Sequence, residues 1–113
     1  MAMEDDDAVR KGPETKPIKR LKDLLTTGNI WLYVLSIMRT KKIYAYTLAE
    51  EIETEFYFKP SRVMIYLVLY RLEAEGMIES EFEQRRKYYT LTEKGRKTMA
   101  EAKDYLLLLS KKL

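Results

Sequence analysis

The chain has 113 residues, 46% hydrophobic and 35% charged, with a net charge of +3, which describes one folded domain with material for a core. It has no Cys and no His, which removes disulfides, zinc sites, thiol nucleophiles and the commonest general base together, so no metal, cofactor or enzymatic activity is expected. No apolar run approaches the roughly 18 residues of a membrane span, and the acidic N-terminus does not read as a secretory signal, so a cytoplasmic protein is expected.

Residues 1–15 are polar, punctuated by Gly and Pro, and carry the acidic run EDDD, which predicts a disordered tail. Residues 16–91 read as one folded unit and 92–113 as an added helix. Pro17 suits the first turn of a short basic amphipathic helix, IKRLKDLL, with Leu21, Leu24 and Leu25 on one side. Asn29 is placed to cap IWLYVLSIMR, where Ile30, Val34, Ile37 and Met38 form a broad stripe with Trp31 and Leu35 beside it. RTKKIYAY reads as a connection. Thr47 then caps LAEEIETEF, whose Leu48, Ile52 and Phe56 face inward. Glu50, Glu51, Glu53 and Glu55 lie along that helix with no partner His, Asp or Gly-rich loop, so they read as a solvated face and not as a metal or acid–base site.

The segment from Ser61, its expected N-cap, to Gly76, its C-terminal glycine, is a helix apolar on nearly every side. Ile65, Leu69 and Leu72 make one stripe at helical spacing, and Val68 widens it. Val63, Leu67 and Tyr70 fall opposite, where a surface helix carries charge. Either that second face packs on more protein, or it meets a partner that is itself partly apolar.

MIESEFE alternates Ile78, Ser80 and Phe82 against Glu79, Glu81 and Glu83, and KYYTL is rich in strand formers. With QRR as a tight turn between them they form a β-hairpin tipped by arginines. One of Tyr88 and Tyr89 should pack inward with Leu91. Arg85, Arg86, Lys87, Lys94, Arg96 and Lys97 stand against Glu93 alone in this stretch, a local electrostatic footprint for nucleic acid. In the last segment Met99, Ala102, Leu106, Leu109 and Leu113 repeat at heptad spacing, with Leu107 and Leu108 off the seam. A helix of that length outruns so small a domain, and its surplus apolar face calls for a second chain. A membrane-surface role fits less well, because few basic residues flank Leu106 to Leu109.

Three helices, a hairpin and a further helix make a mostly α (α+β) chain: a winged helix-turn-helix with a two-stranded wing, an extra N-terminal helix and a long C-terminal dimerisation helix. The string YRLEAEGMIES followed by RRKYYTLTEKG, together with GNIWLYVLSIM and YAYTLAEEI, resembles the PadR family of transcriptional regulators across residues 27–99. The resemblance implies a homodimer that binds double-stranded operator DNA and represses transcription. The helix after Ser61 would enter the major groove, and the wing would follow the adjacent backbone. It also implies a DNA contact at Tyr66, which matches the tyrosine of the family's Leu-Tyr pair. A single C-terminal helix resembles the small subclass, some of whose members bind flat hydrophobic compounds between subunits beside a tryptophan of the last helix. The only tryptophan here is Trp31.

On this reading Arg62 contacts a guanine edge or a phosphate, and Ser61 a phosphate. Tyr66 and Tyr70 offer hydroxyls on apolar bodies, and Met64 or Leu67 meets thymine methyl groups. Tyr46, Lys59, Arg85, Arg86, Lys87 and Tyr88 add backbone contacts. The dimer would form through Leu21, Leu24, Trp31, Met99, Ala102, Leu106, Leu109 and Leu113. Two other uses remain: a winged helix that binds protein through the apolar outer face, and a sensor of a small hydrophobic effector in a dimer-interface pocket lined by Trp31, Tyr33 and Tyr105.

Overall fold

The computed structural model describes residues 13–113, so most of the predicted acidic tail lies outside the described residues. Helix α1 spans Lys16–Leu25, with Pro17 in its first turn, where a missing N–H costs nothing. None of its residues is buried, and Ile18, Leu21, Leu24 and Leu25 all face outward. A 3₁₀ turn over Thr27–Asn29 leads into α2, Ile30–Met38, which supplies the buried Ile30, Val34, Leu35, Ile37 and Met38.

Asn29 precedes α2 but does not cap it through its side chain. Its Nδ2 donates to the Leu24 carbonyl at 2.5 Å, and its Oδ1 accepts from Trp31 Nε1 at 3.1 Å. The amide is spent on a carbonyl that the end of α1 leaves without an intrahelical partner.

The connection after α2 hides a strand. β1, Ile43–Tyr44, pairs antiparallel with β3 (Arg86–Leu91), which pairs on its other side with β2 (Ile78–Glu83). The expected two-stranded hairpin forms from β2 and β3, and β1 extends it to a three-stranded sheet in the order β1-β3-β2. Two residues are too few to show a period, which is why the sequence pattern misses β1.

After a 3₁₀ turn at Ala45–Thr47, α3 runs Leu48–Phe56 and buries Leu48, Ala49 and Ile52. Thr47 makes no side-chain cap; its hydroxyl lies 3.1 Å from both the Tyr44 carbonyl and Glu51 Oε2. α3 ends at Tyr57, in the left-handed region at φ 67°. Phe58, in the turn that follows, packs edge-on against Tyr33 at 4.8 Å, and Tyr33 meets Phe56 at 4.9 Å.

Helix α4, Arg62–Ala74, begins as expected: Ser61 Oγ accepts the Met64 N–H at 3.2 Å. Ile65, Leu69 and Leu72 are buried as one stripe. It ends in a Schellman turn at Gly76, φ 77°, with Gly76 N–H on the Glu73 carbonyl at 3.0 Å and Met77 N–H on Leu72 at 2.9 Å.

Between β2 and β3 the loop is only Gln84 and Arg85, both at positive φ (49° and 73°), so Arg86 belongs to the strand and not to the turn. Ile78, Ser80 and Phe82 pair with Leu91, Tyr89 and Lys87 on one face. Ile78 and Tyr89 are buried, but Phe82, on the same side of β2 as Ile78, is 72% exposed. The hairpin outruns the core, and its distal end has nothing to pack on.

Helix α5, Glu93–Lys112, is anchored by Thr92, whose Oγ1 accepts the Gly95 N–H at 3.1 Å and lies 2.6 Å from the Gly76 carbonyl. At Gly95 the backbones nearly touch: a Cβ there would sit 2.2 Å from the Met77 carbonyl oxygen. The first turns of α5 pack on α2 and β3. Met99, expected in an intermolecular seam, is instead 7% exposed within the core of the single chain. It lies in those packed turns, so its own domain covers it. Beyond Ala102 every residue is exposed. No helix among the described residues is long and apolar enough to cross a membrane.

Candidate nucleic-acid interface

Burying Ile65, Leu69 and Leu72 turns the opposite side of α4 outward. Val63, Met64, Tyr66, Leu67 and Tyr70 are all exposed, so no other part of the described chain buries the second face. Val63 and Tyr70 stand out furthest, at 77% and 73% exposed. Arg62 opens this face, four residues before Tyr66 and hence one turn beneath it.

Arg62 is held in place. Its guanidinium lies 4.3 Å from the centroid of the ring of Tyr46, in the 3₁₀ turn before α3, and 3.7 Å from Glu50 Oε2. The same carboxylate oxygen lies 3.5 Å from Lys59 Nζ. Glu50 titrates below the ordinary range, chiefly because its carboxylate accepts its own backbone N–H, with Lys59 and Arg62 adding to the effect. It is therefore charged at neutral pH. Lys59, Arg62, Tyr46 and Ser61 are thus assembled at one end of α4 by the short turn between α3 and α4.

A run of aromatic rings joins this cluster to the wing. Tyr46 meets Tyr44 at 5.9 Å, and Tyr44 meets Tyr88 across the β1–β3 pair at 5.8 Å. Arg86 lies 5.1 Å from the Tyr44 ring, and Lys42 5.1 Å from the Tyr88 ring. Lys42 also pairs with Glu83 on β2. Cations and aromatic rings therefore follow one another from Arg62 to Arg86 on a single surface. Flat amphipathic rings give that surface stiffness at little conformational cost, and guanidinium groups stacked on them keep donors free for phosphate.

Of the residues singled out from the sequence, Tyr46, Lys59, Ser61, Arg62, Arg86 and Tyr88 come together along this surface, with Arg85 at the hairpin tip. Lys87 stands apart. Strand alternation puts it on the face of Tyr89, with its ammonium 5.4 Å from that ring. Sequence reasoning missed Tyr44, Lys42 and Glu50. The alternation in IYAY was a usable signal for Tyr44, whereas Glu50 looked like one member of a solvated acidic row.

The residues considered for a second chain divide. Leu21 and Leu24 are bare on α1, and Leu106, Leu109 and Leu113 are bare on α5. Ala102 and Trp31 are half-buried, and Met99 is in the core. Trp31, Tyr33 and Tyr105, considered for a pocket between two chains, do not meet within one chain. Two residues apart on a helix means opposite sides: Trp31 turns toward Asn29, and Tyr33 toward Phe56 and Phe58. Tyr105 is exposed on α5. Trp31 instead borders a cavity of about 390 Å³ shared with Met64, Val68 and Leu72 of α4.

The model of the transcriptional regulator PadR-like family matches residues 34–101, more than half of the chain. No curated protein matches it. A PadR-family transcriptional regulator from Eggerthella lenta shares the fold with a TM-score of 0.72 at 25% identity, over 97% of this chain and 92% of its own. A PadR-family transcription regulator from Clostridium difficile gives 0.69 at 27% identity, over 74% of this chain and 92% of its own. A winged-helix DNA-binding protein from STIV, 22% identical, shares the fold at 0.62 over 69% of this chain and 86% of its own. With the hairpin, the capped α4 and the long final helix in place, the chain belongs to the PadR-like family of transcriptional regulators and carries its winged-helix fold.

Proposed function

We propose that the protein binds a pseudo-palindromic operator as a homodimer and represses transcription by occluding the promoter. The observation that carries this reading is the outer face of α4, bare of its own chain, continuous through Tyr46 and Tyr44 with the arginines of the wing. α4 enters the major groove with Arg62 at a guanine edge or phosphate and with Tyr66, Leu67, Met64 and Tyr70 along its exposed side. Ser61 and Lys59 meet phosphates beside it, as do Arg85 and Arg86 at the wing, with Tyr88 flanking them and Lys87 on the other face of the wing.

Dimerisation follows from the apolar faces left over. α5 has 20 residues, a length of about 30 Å, and every residue beyond Ala102 is exposed in the described chain, Leu106, Leu109 and Leu113 among them. A two-fold axis through paired α5 helices sets two α4 helices about 34 Å apart, one turn of DNA.

The test is a salt titration of binding to duplex DNA from upstream of the protein's own gene, for wild type and Arg85→Ala/Arg86→Ala. The reading expects a steep log–log slope that becomes shallower by roughly 0.9 per lost phosphate contact in the double variant. Equal binding to random duplex, with the variant unchanged, would sink it.

The cavity beside Trp31 favours a second reading in which a flat apolar effector, wedged behind α4, alters its seating in the groove. Quenching of Trp31 fluorescence by planar hydrophobic compounds, with a parallel change in DNA affinity, is its check.

A further inference from the structure

Glu50 is an oddity on a surface meant for a polyanion. It stands on the exposed side of α3, and its one carboxylate oxygen lies 3.5 Å from Lys59 Nζ and 3.7 Å from the Arg62 guanidinium. Among the described residues, no other carboxylate is ion-paired with either cation. Both contacts are long and exposed, with about half of each side chain's surface open to solvent. Exposed pairs of this kind add little to folding stability, and the bond from the carboxylate to its own backbone N–H does not require two cations beside it, so stability is a poor account of why Lys59 and Arg62 share this carboxylate.

Competition is a better one. A carboxylate on two cations occupies the place that a phosphodiester would take. We propose that Glu50 is a specificity-determining residue: it competes with backbone phosphate for Lys59 and Arg62, and so penalises DNA that offers these cations phosphates alone. The inference rests on the reading that α4 lies in the groove. A correct site returns more than it displaces, because a guanine presents O6 and N7 together to one guanidinium, a bidentate match that Glu50 at 3.7 Å does not make. On any other sequence, the two cations must leave a carboxylate for a phosphate, and the carboxylate stays behind within a few ångströms to repel it. Tyr46 keeps Arg62 in place through that exchange, since the ring under the guanidinium needs no anion.

The experiment compares wild type, Glu50→Gln and Glu53→Gln on random-sequence duplex DNA. Glu53→Gln removes the same charge from the same helix, at an exposed residue with no ion pair among the described residues. Glu50→Gln should bind random duplex about five- to tenfold tighter at 0.15 M salt, with a log–log slope steeper by roughly one. Glu53→Gln should stay within about twofold of wild type. Equal tightening by both variants would mean a general charge effect and overturn the proposal. Weaker binding by Glu50→Gln would overturn it too, by making the carboxylate a support for Arg62. Retention on heparin, a polyanion without base edges, reads the same competition independently. If wild type binds no duplex at all, the groove reading fails, and Glu50→Gln eluting from heparin at the same salt as Glu53→Gln takes this proposal with it.

Discussion

The Arg62 guanidinium lies 4.3 Å from the centre of the Tyr46 ring, so the first residue of α4 is seated by a residue just before α3. On the proposed reading, a flexible side chain that must find one edge or phosphate is thereby held near its working position before DNA arrives. Tyr46→Ala should weaken DNA binding about three- to fivefold, while Tyr46→Phe, which keeps the ring, should stay close to wild type. Fluorescence anisotropy with a labelled upstream duplex measures both. An equal loss in the two variants would assign the effect to the hydroxyl instead.

The wing tip carries backbone strain. Arg85 sits at φ 73°, a region that favours glycine, in a two-residue loop where its neighbour Gln84 is also left-handed. Arg85→Gly should therefore stabilise the fold by about 1 kcal/mol in urea unfolding. The same variant should bind DNA more weakly, with a shallower salt slope. A gain in both would show that the guanidinium touches no phosphate.

Tyr57 shows the same left-handed strain at φ 67°, and its side chain is 88% exposed. Tyr57→Gly should raise the melting temperature, by an amount equivalent to about 1 kcal/mol at the midpoint. Differential scanning calorimetry decides it; an unchanged or lower Tm would mean that the ring contributes contacts which offset the strain.

Gly95 is required by proximity and not by its own backbone angles. A Cβ would stand 2.2 Å from the Met77 carbonyl and 2.6 Å from Leu91 Cδ1. Gly95→Ala must push α5 away from the sheet, at a cost of about 1–3 kcal/mol, even though alanine is the better helix former. Urea denaturation followed by circular dichroism reads the loss.

Leu106 and Leu109 are 38% and 40% exposed in the single chain, so charge at those positions leaves its core intact. Leu106→Glu/Leu109→Glu should convert a dimer to a monomer in sedimentation equilibrium while the far-ultraviolet circular dichroism stays native. DNA affinity should fall steeply with it, because each half-site would then be bound separately. A variant that remains dimeric would move the interface to α1 or elsewhere.

Much of this was legible in the chain because it depends on local rules. Ile65, Leu69 and Leu72 recur at helical spacing and do form the buried stripe; Ser61 and Gly76 punctuate α4 as their chemistry dictates; Ile78 and Tyr89 alternate inward. The bare second face of α4 was visible for the same reason. What tertiary structure alone decided depends on distance between segments far apart in sequence. The strand at Ile43–Tyr44 exists only because β3 lies alongside to bond with it, and two residues carry no periodicity of their own. Phe82 obeyed the strand pattern yet lies in solvent, because how far a hairpin overhangs its core is a matter of global size. Met99 fitted a heptad, but the first turns of α5 lie against α2, so its own domain claimed it. Glu50 shows the limit most clearly: in the sequence it is one of four glutamates along LAEEIETEF, and only the turn that swings α4 back beside α3 brings its carboxylate to Lys59 and Arg62.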